Sequence, residues 1–230
     1  MRTTSRVRAL TLPLAMVLAL ATVVAVVLVT RHRGPWQDGE VRGPWRSLFN
    51  GYGSVALQGQ DVVLAPRPPA GRDDTHAALV VSHRSYGDIA LSLRVRTEAQ
   101  LRSEGPNPWE VAWVLWHVSS RERFYALVLK PTGWELSKQD PDYPGGQRFL
   151  ASGTTPTFPV GRWHEVGIVQ VGDQLDVSVD GRALTRFRDS AGAYRSGGLG
   201  LYTEDARARF SAVTATALPA GPPGAGRAGP

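Results

Sequence analysis

A two-residue hydrophobic period returns along most of this chain, and it limits the fold more than any other feature. Over 89–96, Ile89, Leu91, Leu93 and Val95 alternate with Ala90, Ser92, Arg94 and Arg96. Val166 and Ile168, then Leu175, Val177 and Val179, repeat the pattern on either side of Gly172-Asp173. Successive side chains of a strand point to opposite faces, so this period predicts half-buried β-strands. Further strands are expected over 55–57, 62–65, 77–82, 148–151, 183–187, 199–203 and 210–217. Asp180-Gly181 predicts a two-residue type I′ hairpin, a geometry with positive φ that glycine adopts without cost. The 25 glycines and 17 prolines suit many turns, and 230 residues suit one large all-β domain. With no cysteine there is no disulfide, thiol nucleophile or lipid-acylated cysteine.

Residues 107–139 predict two or three adjacent strands at the centre of a sheet. They hold four of the seven tryptophans and both lysines. Sorting by bulk puts Val111, Trp113 and Leu115 on a core face together with Tyr125, Leu127, Leu129, Trp134 and Leu136. The opposite face then carries Glu110, Trp116, Lys130 and Glu135, and by the same parity Arg94 and Arg96. Six such side chains lining a shallow groove would suit a polar, ring-shaped ligand such as a sugar: an indole to stack on and charges of both signs for its hydroxyls. The competing reading of the same residues is a solvated face of cross-strand ion pairs.

The front of the chain predicts a membrane segment. Residues 1–8 carry three arginines and no acid, residues 9–30 carry no charge, and Arg31, His32 and Arg33 close the run. A 22-residue apolar stretch matches a bilayer-spanning helix and exceeds the usual apolar region of a signal peptide. The expected layout is a basic cytoplasmic tail (1–8), a signal-anchor (9–30), a linker (31–42), an extracellular β-sandwich (43–218) and a disordered Pro/Gly/Ala tail (219–230). Cleavage after Ala19-Leu20-Ala21 and secretion is the alternative. Five of the 26 basic residues precede residue 34, leaving 21 to balance 20 acidic ones. The net charge of +6 therefore belongs to the anchor, and no nucleic-acid partner follows from it.

The run WHEVGIVQVGDQLDVSVDGRALTRF (163–187), followed by GGLGLYTEDARARFSAV (197–213), resembles the closing strands of concanavalin A-like lectin/glucanase jelly rolls. Within them it is most similar to bacterial domains related to 3-keto-disaccharide hydrolases and laminin-G-like modules. The resemblance implies a two-sheet antiparallel jelly-roll sandwich and a polysaccharide or oligosaccharide partner. It also implies a structural calcium ion as the one cofactor to consider, with Asp73, Asp74, Glu204 and Asp205 as candidate ligands, although none sits in an EF-hand pattern. A hydrolase would need two carboxyls across the scissile bond. The glucanase strand motif E-x-D-x-x-E is missing, so Glu110 and Glu135 are the candidate catalytic pair, and His117 is the reserve acid or base. Three readings follow: a carbohydrate-binding domain using Arg94, Arg96, Trp116, Lys130 and His117; a glycoside-cleaving enzyme; and a protein-binding scaffold.

Overall fold

The computed structural model describes residues 35–219, which form strands and turns without a helix. The predicted membrane segment 9–30 and the tail beyond residue 219 lie outside the described residues. Fifteen strands build two antiparallel sheets. Eight form one sheet in the order β1 (Val41–Arg42), β2 (Trp45–Phe49), β5 (Ala77–Ser82), β14 (Gly198–Glu204), β7 (Ala112–Ser120), β8 (Arg123–Lys130), β9 (Gly133–Gln139) and β10 (Gln147–Gly153). Seven form the other, in the order β13 (Arg182–Arg188), β12 (Gln174–Val179), β11 (His164–Val171), β6 (Ile89–Gln100), β15 (Ala206–Ala217), β4 (Asp61–Ala65) and β3 (Ser54–Gln58).

Alternation explains the seven-stranded sheet directly. Ile89, Leu91, Leu93 and Val95 are buried and pair across β11 with Gln170, Ile168, Val166 and His164. The β12–β13 hairpin turns through Asp180 and Gly181 at φ 52° and 74°, the double positive φ that a type I′ turn demands. Ile89, Leu93, Ile168 and Phe210 from this sheet meet Tyr125, Leu127 and Leu136 from the other, all shielded from solvent.

Two expectations are corrected here. First, β6 and β7 follow one another in the chain yet belong to different sheets. Arg94 and Arg96 therefore lie on the outer face of the seven-stranded sheet, away from Lys130 and Glu135. Second, the faces of β7 are the reverse of those expected. Trp113 pairs with Val128, Val114 with Leu127 and Trp116 with Tyr125. The Arg121-Glu122 turn joins the strands with two residues, and the bulge between Trp116 and Ser120 adds two to β7, so odd positions of β7 stay opposite even positions of β8. Once Leu127 faces inward, Val114 and Trp116 must follow it, and Trp113 must face out.

Trp116 is 0% exposed. Its ring stacks on Tyr125, and its Nε1 donates to Gln170 Oε1 at 2.7 Å, so the indole's one donor is satisfied inside the core. The parities of β8 and β9 do hold: Lys130, Glu135 and Ser137 share the outer face. Trp36, expected in a linker, is also fully buried and is tied by its N–H to the Val55 carbonyl. The sandwich thus begins there rather than at Gly43.

Candidate functional site

The outer face of the eight-stranded sheet carries a band of rings over an aliphatic floor. Leu79, Val81, Leu115 and Ala126 are buried beneath partly exposed Phe49, Trp113, Phe124 and Tyr202. Register makes the band continuous. One row across the sheet runs Phe49–Leu79–Tyr202–Trp113–Val128–Glu135. The rings of Trp113 and Tyr202 meet edge-on at 5.2 Å, and Phe49 meets Tyr202 edge-on at 6.5 Å. Trp113 Nε1 donates to the carbonyl of Trp109, whose own ring is 45% exposed and extends the band past the strand end.

Polar groups flank the rings. Lys130 Nζ donates to Glu135 Oε2 at 3.0 Å, and Gln147 Nε2 donates to Glu135 Oε1 at 3.0 Å. At the other side the Tyr202 hydroxyl donates to Glu204 Oε2 at 3.0 Å. Burial pushes the Glu204 carboxyl above its ordinary range; the Tyr202 hydrogen bond opposes this, and the charges of Asp205 and Glu110 add to it. Burial likewise raises the Tyr202 hydroxyl. The face thus combines edge-packed aromatic surface with a locked ion pair and a carboxyl that holds its proton more tightly than usual.

The expected site residues divide among several places. Lys130 and Glu135 are together on this face. Trp116 is in the core. Glu110 is fully buried at one end of the sandwich, where Arg102 Nε and Asn107 Nδ2 donate to its Oε1 at 2.7 and 2.8 Å. Arg102 also binds Asp205 Oδ2 and the carbonyls of Gly71 and Asp74, so this carboxylate helps to fasten loops. Glu110 and Glu135 belong to separate networks and do not form an acid–base pair. Arg94 lies over the Trp163 ring at 4.8 Å on the opposite sheet, and Arg96 stands beside Arg209 there.

His117 is buried in a bulge of β7 at φ 50°, its ring nitrogens 2.8 and 2.9 Å from the carbonyls of Tyr194 and Gly87. Burial lowers its pKa against the pull of those carbonyls, and the ring serves as a brace between two loops. Among the calcium candidates, Asp205 is held by Arg102 and the His76 N–H, and Asp74 accepts from the Ala70 N–H. No group of three or more His, Asp or Glu side chains among the described residues is arranged to hold a metal ion.

Sequence reasoning missed Phe49, Trp113 and Tyr202 as surface groups, and it placed Glu204 as a calcium candidate rather than on this face. The signal was present for one of them, because the two-residue turn after β7 fixes where Trp113 points. It also missed an interior network. Lys138, fully buried on β9, donates to Asp189 Oδ2 at 2.8 Å and to the carbonyls of Ala191 and Gly192; Tyr125 Oη donates to the same Asp189 oxygen. Tyr125 Oη in turn accepts from the Tyr194 N–H. This network holds the connection between β13 and β14. On the far side of the molecule, a shallow trough of about 620 Å³ has a floor of Ala90, Ser92, Gly167 and Ser178 and bears no aromatic residue.

Two antiparallel sheets packed face to face, with one outer face bearing rings and polar groups, define a concanavalin A-like jelly-roll domain. The chain belongs to the family of 3-keto-alpha-glucoside-1,2-lyase-like domains, whose family model matches residues 36–216. Among solved structures it is similar to the carbohydrate-binding module CBM66 from Bacillus subtilis, with a TM-score of 0.58 and 17% identity, covering 76% of this chain and 96% of that one. The Bacillus licheniformis β-glucanase matches with a TM-score of 0.55 and 9% identity over 81% of this chain and 99% of that one. A putative glycosyl hydrolase from Parabacteroides distasonis matches with a TM-score of 0.51 and 14% identity over 79% and 92%. At these identities the likeness is one of fold. No curated protein matches the sequence.

Proposed function

We propose that this domain binds carbohydrate on the outer face of the eight-stranded sheet. The observation that carries the reading is the Trp113–Tyr202 pair, two partly exposed rings 5.2 Å apart beside polar groups that are already oriented. The C–H face of a pyranose packs on such rings, while Lys130, Glu135, Gln147 and Glu204 offer donors and acceptors to its hydroxyls. The family's name, which refers to a 3-keto-α-glucoside, and the carbohydrate-binding module among its structural neighbours support a sugar as the ligand class. Residues 9–30 tether the domain to a membrane and place it outside the cell; carbonate extraction of membranes tests that tether.

The test is binding of the full-length chain to a glycan array. Trp113→Ala is expected to weaken binding about tenfold or more, the effect of removing a central aromatic anchor. Undiminished binding by a folded Trp113→Ala variant removes the proposal.

Glu204 favours a second reading, that of a glycoside-cleaving enzyme. Its raised affinity for a proton suits a general acid that protonates the leaving glycosidic oxygen. Its neighbours Glu110 and Asp205 are both held by Arg102, so a base partner is not built beside it, and binding ranks first. Turnover of a 3-keto-glucoside, abolished by Glu204→Gln, would reverse that ranking.

A further inference from the structure

At one end of the ring-bearing face lies a pocket of about 440 Å³ lined by Arg46, His83, Arg84 and Arg121, with the hydroxyls of Ser85 and Ser196 among them and no acidic residue. We infer that this pocket receives an anionic substituent, a carboxylate or sulfate, of the glycan bound on the adjoining rings. The inference rests on the carbohydrate reading above and specifies its ligand: an acidic glycan.

What distinguishes these arginines is their convergence on one pocket without a carboxylate ion pair. Seven other arginines among the described residues are salt-bridged to carboxylates. Arg46, Arg84 and Arg121 are not. Arg84 lies over the Tyr86 ring at 4.9 Å and Arg121 over the Phe49 ring at 5.5 Å. Ring contacts orient a guanidinium without neutralising it. Three unneutralised guanidiniums around one basin raise its positive potential, and their planar forks match a carboxylate or sulfate in bidentate fashion. Glu122, next to Arg121 in sequence, does not line the pocket.

The pocket is also built firmly and placed within reach of the rings. Gly197 packs so closely on β7 that an added Cβ would lie 2.3 Å from the His117 carbonyl carbon. Ser82 Oγ accepts from the Leu199 N–H at 2.9 Å, fixing the floor. Arg46 pairs with Val81, two positions along β5 from Leu79, which pairs with Phe49. Two strand positions span about 7 Å, roughly the width of one sugar ring. A ring lying on Phe49 and Tyr202 would set its acidic substituent in the basin.

The experiment measures binding of the full-length chain to polygalacturonate, alginate, hyaluronan and heparin against neutral dextran, levan and laminarin, with inorganic phosphate and phosphatidylglycerol vesicles alongside. At least one acidic polymer is expected to bind about tenfold or more tightly than every neutral one and to weaken as salt rises. Arg46→Gln and Arg121→Gln, at exposed positions and expected to match the parent by circular dichroism, should each cost that polymer about tenfold in affinity. In both variants the acidic polymer should lose more affinity than any neutral one. The inference is overturned if no acidic polymer is preferred, if both variants bind it as the parent does, or if only phosphate or vesicles bind. Neutral glycans bound in a Trp113-dependent way with no acidic preference would overturn this inference alone. Failure of every glycan would overturn the carbohydrate reading with it.

Discussion

Trp116 stacks on Tyr125 across the β7–β8 pair, ring centroids 5.3 Å apart and planes 25° from parallel, inside the sandwich. Three residues earlier on the same strand, Trp113 stands on the opposite, solvent-facing side. Equal substitutions at the two positions should therefore have unequal effects. Trp116→Ala opens a large cavity and leaves Gln170 Oε1 without its donor, and it should cost about 3–5 kcal/mol. Trp113→Ala should cost roughly 1–2 kcal/mol, because its ring packs at the surface and is only partly buried. Urea denaturation of the two variants measures the difference; equal losses would contradict the face assignment.

The buried pair of Lys138 and Asp189 gives a second prediction. Removing one partner leaves an uncompensated charge, so Lys138→Met should destabilise the domain by about 3–5 kcal/mol. Replacing both, Lys138→Met with Asp189→Leu, should restore a large part of that loss, since two neutral side chains carry no unpaired charge. Amide exchange over 189–197 should rise in the single variant. A double variant no more stable than the single one would show that the pair acts through something other than charge.

Glu204 makes a prediction about pH. Its carboxyl binds a proton more tightly folded than unfolded, because burial disfavours the charged form. Between the ordinary value of 4.5 and the raised folded value, the native state holds more protons than the unfolded one, so stability falls as pH rises through that window. Glu204→Gln removes the penalty and keeps an acceptor for the Tyr202 hydroxyl. The variant should melt higher than the parent at pH 7, and the gap should close below pH 4.5. Thermal melts across that range decide it; a gap that persists at low pH would rule out proton linkage.

Strand positions were largely legible because each strand shows its own alternation. The span 77–82 and the turn at Asp180-Gly181 follow from local chemistry, and so does the inward set Ile89, Leu91, Leu93 and Val95. Which strands share a sheet was not legible. β6 pairs with β11 and β15, far along the chain, while its sequence neighbour β7 pairs with β14 and β8. That choice is made by packing across distance, and bulk could not resolve it for a strand with tryptophan on both faces. The β7–β8 register decides it, and the indole N–H groups find partners that agree. Trp116 finds Gln170 inside, and Trp113 finds a carbonyl at the strand end. The convergence of Arg46, Arg84 and Arg121 was equally hidden, since they come from three separate parts of the chain.

The loop between β13 and β14 takes its position from Lys138, Tyr125 and Gln170, which anchor residues 189–194 from within, and Ser196 at its far end reaches the basic pocket. That division of labour marks where the molecule tolerates redesign. Residues 189–194 are pinned from below like a plate, whereas Ser196 is the position of this loop where an exchange would change the pocket wall without touching those anchors.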